Sequence, residues 1–254
     1  MVQTLPSDIA VAACFVSDIP LWKRYEAAWK SVLNDAGLDN SSFHMADFVA
    51  RQNPFSEWDE EKRRSVITRL VEIINRNAMM GCATAVVKQD YDELVQGKLR
   101  DKLGHYHYTF AVQSCVFSIA QWRAIRTSDP MEYVFDWMPR KKGKHEIIDL
   151  FNDIATQNTA LCFGVEPYCY AFQHRKQVVQ LQAPDILAWE ARKYMCDWQL
   201  SQSKQKPRGS FKSLLDHVSI QTRFFDKSSL PDFVAEVSAR YEAVGWDGPR
   251  GGLL

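Results

Sequence analysis

Four side chains carry most of the chemistry this sequence offers: Asp136, Asp185, His44 and Asp47. Asp136 closes Met131-Glu132-Tyr133-Val134-Phe135-Asp136, an otherwise mostly apolar run of strand length. A carboxylate buried in such a place needs a partner or a cation. On strand periodicity it shares a face with Val134 and opposes Phe135 and Trp137, and it reads equally as a functional acid and as a strand-end residue reaching solvent. Asp185 follows Pro184 at the start of an amphipathic stretch. In a first helical turn a carboxylate gains from the free amides and the helix dipole whatever the protein does. His44 and Asp47 stand three apart in Phe43-His44-Met45-Ala46-Asp47-Phe48, a spacing that puts both on one side of a short helical turn. The pair suits proton transfer and suits helix capping as well. His105 and His107 flank Tyr106 beside a helix start and define no ligand set. The sequence holds no phosphate-binding glycine loop, dinucleotide fingerprint, nucleophile elbow or His-Glu-x-x-His helix.

These residues need elements to position them. The uncharged run from Ile9 to Val16 predicts a buried strand. From Pro20 onward, Leu21, Trp22, Tyr25, Ala28, Trp29, Val32 and Leu33 form a helical stripe that ends at Gly37. A second helix is predicted from about Trp58 to Asn77, with Ser56 as its cap and Asp59 and Glu60 at its positive end. A strand follows over Cys82 to Val87. The stretch from Tyr106 to Thr127 is apolar on most sides and predicts the central buried helix. Beyond it come a strand over Met131 to Trp137, a helix over Glu146 to Thr156, strands over Ala160 to Val165 and Tyr168 to Gln173, a helix from Pro184 and a last helix over Leu230 to Val244. Strands separated by helices predict an α/β protein with a sheet covered on both faces.

Composition narrows the partners. The 31 basic residues balance 31 acidic ones, so no global charge marks a nucleic-acid or membrane-surface binder and any basic site must be local. With 46% hydrophobic residues and only 11 Gly and 10 Pro, the chain can bury a sizeable core. No linker divides it, which predicts one domain over 1–254, with 201–254 as a loop-and-helix extension. The cysteines Cys14, Cys82, Cys115, Cys162, Cys169 and Cys196 lie mostly in apolar runs without zinc-like spacing and read as reduced core thiols. There is no leader-like N-terminus, and the apolar runs are too short to cross a bilayer, so the expected location is the cytoplasm, without a membrane partner.

The segment Val179-Gln180-Leu181-Gln182-Ala183-Pro184-Asp185-Ile186-Leu187-Ala188 resembles the Leu-Gln-x-Ala-Asp-Leu-Leu-Ala signature of the bacterial family called domain of unknown function 3800. Pro184 stands where that family commonly has Ala, a change that a first helical turn tolerates. Three further stretches resemble the family: the helix with Trp22 and Trp29, the segment Phe43-His44-Met45, and the strand Tyr133-Val134-Phe135-Asp136. Together they span most of residues 8 to 200.

The resemblance implies a ribonuclease H-like fold, a mixed sheet covered by helices on both faces. In it, acids from the first strand, a later strand and the last helix hold divalent cations. Asp136 and Asp185 match the second and third of these places and become the expected ligands of Mg²⁺ or Mn²⁺, with carboxylates roughly 4–8 Å apart. Family members typically open with a strand ending in Asp-Glu-Ser-Gly. This sequence starts at Met1-Val2-Gln3-Thr4-Leu5-Pro6-Ser7-Asp8, so the first strand is expected to be missing, and Asp8 does not replace its acid. The strand from Ile9 would then present a bare edge, a route to a homodimer.

The function implied is a divalent-metal-dependent nuclease or phosphoesterase, weak or inactive as the chain stands. Asp136 and Asp185 would be ligands, and His44 or Asp47 would be an auxiliary ligand or proton shuttle. Gln182 of the signature and the basic run Arg140, Lys141 and Lys142, which Lys144 continues, would contact a nucleic acid, although such turns are usually solvated surface. The alternative is a non-catalytic binding or regulatory domain that keeps the fold.

Overall fold

The structure, a computed structural model, describes residues 8–38, 43–127, 129–137, 142–156, 165–201 and 206–243. In chain order the elements are β1 (Ile9–Val16), α1 (Ile19–Asp35), α2 (Met45–Val49), α3 (Glu60–Asn77), β2 (Met80–Val87), α4 (Lys88–Leu94), α5 (Lys98–Leu103), α6 (His107–Ala124), β3 (Met131–Asp136) and α7 (Lys142–Thr156). There follow β4 (Val165–Gln173), a 3₁₀ turn (Val179–Leu181), α8 (Gln182–Ser201), α9 (Gly209–His217), β5 (Ile220–Phe225) and α10 (Leu230–Ala243).

Helix starts follow local chemistry. Asp18 caps α1 by accepting the Leu21 amide at 2.7 Å, and Asp59 caps α3 by accepting the Lys62 amide at 2.7 Å. Ser56, the cap expected from the sequence, lies too early. Trp58 is buried in a run of aromatic rings, its centroid 5.2 Å from Phe55, so the chain turns helical only after Asp59. Helix α6 is buried without interruption from Thr109 to Ala120, as an apolar circumference requires. Where the sequence suggests a helix from Glu146, α7 begins at Lys142.

The strands form two separately bonded sheets among the described residues, β1-β2-β5 and β3-β4, where the resemblance implies one. Val16 accepts the Met79 amide at 2.9 Å and Asp8 accepts the Lys88 amide at 3.0 Å, which makes β1 and β2 antiparallel. Ser219 accepts the Gly81 amide at one end of β2, and the Lys227 amide reaches Asp90 at the other, which makes β2 and β5 parallel. Strand β1 therefore stands at an edge of its sheet. All of β2 is buried, the pattern of a strand covered on both faces. Gly81 has to be glycine: an added Cβ would lie 2.8 Å from the Phe15 ring and 3.0 Å from Ile220.

The chain the sequence reads as one domain falls into two compact units. Unit 1 is Met1–Ala12, Thr84–Phe172 and Arg223–Leu254; unit 2 is Ala13–Ala83 and Gln173–Thr222. In unit 1, Phe110 of α6 gathers Tyr91 (4.9 Å between centroids), Phe225 (5.4 Å) and Phe233 (5.8 Å). In unit 2, α1 packs on α3, and the stacked pair Tyr25 and Trp29 (4.9 Å) leads through Phe43 to Phe55. The five described cysteines are free thiols; Cys162 lies outside the described residues. No helix among the described residues is long and apolar enough to cross a membrane.

One buried acid helps dock α9 on α8. Glu190 accepts the Ser210 hydroxyl at 2.5 Å. Burial pushes its carboxyl above the ordinary value of 4.5, with Ser210 and Arg208 opposing the rise. A raised folded-state pKa gives stability that is full below the ordinary value and is lost as pH climbs through the raised one. Glu190→Gln keeps an acceptor for Ser210 and cannot ionise. Its urea midpoint relative to the parent is therefore expected to rise as pH climbs above about 4.5 and to level off once the raised value is passed. A flat difference would show that Glu190 ionises in the fold without penalty.

Candidate functional site

The signature at the start of α8 works as a clamp. Gln182 is fully buried; its side-chain oxygen accepts the Trp29 indole N–H at 2.8 Å and the Phe43 amide at 2.9 Å, and its nitrogen donates to the Arg175 carbonyl at 2.9 Å. One helical turn on, Asp185 accepts the Met45 amide through Oδ2 at 2.7 Å. Residues three apart on a helix share a face, and alternate amides of an extended chain point the same way. Gln182 and Asp185 thus grip Phe43 and Met45 while His44 between them has extended dihedrals (φ −132°, ψ 117°).

The imidazole of His44 is thereby held against two acids. Its Nδ1 lies 2.9 Å from Asp47 Oδ2, a hydrogen bond across the first turn of α2, and its Nε2 lies 3.5 Å from Asp185 Oδ1. Arg175, in the loop after β4, brings Nη1 to 3.8 Å from the same Asp185 oxygen. All four side chains are partly exposed, between 24% for Asp185 and 40% for Asp47. The group can move a proton: Asp47 orients the ring through Nδ1, and Nε2, within ion-pair reach of Asp185 but beyond good hydrogen-bonding distance, is the nitrogen able to exchange one.

The structure brings together His44, Asp47 and Asp185 in unit 2. Asp136 belongs to unit 1, where it is half-buried at the end of β3 and accepts the following Trp137 amide at 2.9 Å. Gln182 does not present itself to a substrate, because its amide is sealed from solvent and engaged at both ends; its work is to hold the Phe43–His44 backbone. Arg140 and Lys141 lie outside the described residues, as does the side chain of Lys142. Arg175 is the member that sequence reasoning missed. It belongs to no pattern, and its carbonyl is bound by Gln182.

A hard divalent cation needs several oxygens open toward one point. Among the described residues no group of three or more His, Cys, Asp and Glu side chains is arranged to hold a metal ion. Asp185 gives Oδ2 to an amide, and its Oδ1 faces both His44 and the positive Arg175, which would repel a second cation there. As folded, these donors fit a proton-transfer group and do not fit a bound Mg²⁺ or Mn²⁺.

Comparisons with protein-family models, with curated proteins and with solved structures found no match.

Proposed function

We propose that unit 2 carries a hydrolytic site for phosphoesters, with nucleic acid as the substrate class that the ribonuclease H-like resemblance suggests. The observation that supports it is the His44 ring held between Asp47 and Asp185 with Arg175 alongside. Arg175 offers a planar, permanently charged fork suited to phosphate oxygens. His44 takes a proton from water as its oxygen attacks phosphorus, and the leaving oxygen departs as it is protonated in turn. Asp47 keeps the ring in place throughout. No step is routed through a cation.

The test is hydrolysis of bis-p-nitrophenyl phosphate and of single- and double-stranded DNA and RNA, in EDTA and with added Mn²⁺ or Mg²⁺. Turnover that survives EDTA supports proton transfer by His44. Turnover that needs the metal would overturn that mechanism and favour the cation-dependent form of the same family. A second reading, a non-catalytic binding domain, is favoured by the structural duties of Gln182 and Asp185, which the Phe43 and Met45 amides explain without catalysis. A chain inert on every substrate supports that reading.

A further inference from the structure

We propose that the β3-β4 ribbon of unit 1 binds single-stranded nucleic acid, stacking a base on Trp137 while Lys144 meets a phosphate. Trp137, at the end of β3, is 46% exposed although it is the largest apolar side chain of its segment. Lone exposed apolar residues are ordinary; here the ring belongs to a built arrangement. Lys144, in the first turn of α7, places Nζ 4.3 Å from the Trp137 ring centroid and 4.5 Å from that of Phe172. Phe172 stacks on Phe135 (5.3 Å, 27°), and Phe135 stands edge-on to Phe151 of α7 (5.5 Å, 85°). The Lys144 ammonium beside Trp137 thus also lies on a ring that packs, through Phe135, against α7.

Charge selects the occupant. Lys144 closes the basic stretch Arg140-Lys141-Lys142-Gly143-Lys144. Of the acids that flank this stretch, Asp136 accepts the Trp137 amide and Glu146 accepts the amides of His105 and Tyr106 at the start of α6. Aromatic faces beside an ammonium group suit a chain that presents bare bases and phosphates together, and a duplex hides its base faces. Binding on this ribbon is independent of turnover at the hydrolytic site of unit 2.

The experiment is fluorescence anisotropy of labelled oligo-dT and oligo-rU of about 20 nucleotides, and of a duplex of equal length, with the full chain at low and moderate salt. Single strands are expected to bind more tightly than the duplex. Trp137→Ala should weaken binding about 5- to 150-fold, while Trp137→Phe, which keeps a stacking face, retains most of it. Lys144→Ala should weaken binding and flatten the salt slope by roughly 0.7, the value for one phosphate contact on a single strand. An absence of single-strand binding, a duplex bound as tightly, or a Trp137→Ala protein that binds like the parent would overturn the proposal. If the parent binds strands but hydrolyses nothing, the platform stands and the hydrolytic reading falls. If the parent hydrolyses bis-p-nitrophenyl phosphate but binds no strand, the platform falls and the hydrolytic reading stands.

Discussion

Replacing Gln182 with Leu is expected to destabilise the protein by about 3–6 kcal/mol, the largest stability loss of any single polar substitution in unit 2. Leucine has nearly the same bulk and no polar atoms. The Trp29 indole N–H and the Phe43 amide, both on fully buried residues, and the Arg175 carbonyl would each lose the partner shown for them. A buried polar group left without a partner costs roughly 1–3 kcal/mol, and the two buried donors are orphaned together, with the partly exposed Arg175 carbonyl losing its Gln182 bond besides. Urea unfolding measures the loss as a shift in midpoint at unchanged slope. Gln182→Glu adds a useful contrast: the carboxylate still accepts from Trp29 and Phe43 but cannot donate to Arg175 and carries charge into the core. A Leu variant within about 1 kcal/mol of the parent would mean that the clamp between α8 and the Phe43–Met45 segment is not what holds His44 in place.

Replacing His44 with Ala is expected to lower turnover of bis-p-nitrophenyl phosphate by roughly 10²- to 10⁴-fold in EDTA, the usual contribution of one positioned acid–base group. Stability should change little, because the ring is 34% exposed and the Phe43 and Met45 amides remain bound by Gln182 and Asp185. A similar loss in the folding free energy would instead mark His44 as a structural residue.

Much of the fold is legible in the sequence where one physical cause acts alone. The uncharged run of β1 appears in the structure with its sequence bounds, and the circumferentially apolar α6 is buried as expected. Elements set by tertiary contact are not legible. Strand β5 contains Gln221, Thr222 and Arg223, which blur any alternation, and it is a strand because it pairs with β2. Helix α5 has six residues, four of them charged, too few to show a period, and it stops at Gly104, whose φ of 108° a side chain would resist. The two units are also invisible, because the chain passes between them inside β1, β2, β4 and β5 rather than through a linker.

The same distinction governs the site. His44 and Asp47 pair through a local spacing, so their contact can be foreseen from sequence. The placing of Asp185 and Arg175 against them depends on Gln182, a residue whose signature looks like substrate contact and whose structure shows a scaffold. A buried amide with three partners leaves no trace in sequence that separates it from a binding residue.

Whether His44 and Asp47 act as one proton-transfer unit is decided by a double-mutant cycle on turnover in EDTA, using His44→Ala, Asp47→Asn and the pair combined. Asn keeps the shape of Asp47 and removes the charge that orients the ring. Groups that act together lose their effect together. The expected result is that Asp47→Asn slows the parent by at least about tenfold and leaves the His44→Ala protein unchanged. Independent losses that multiply in the double variant, or an Asp47→Asn protein as fast as the parent, would contradict it.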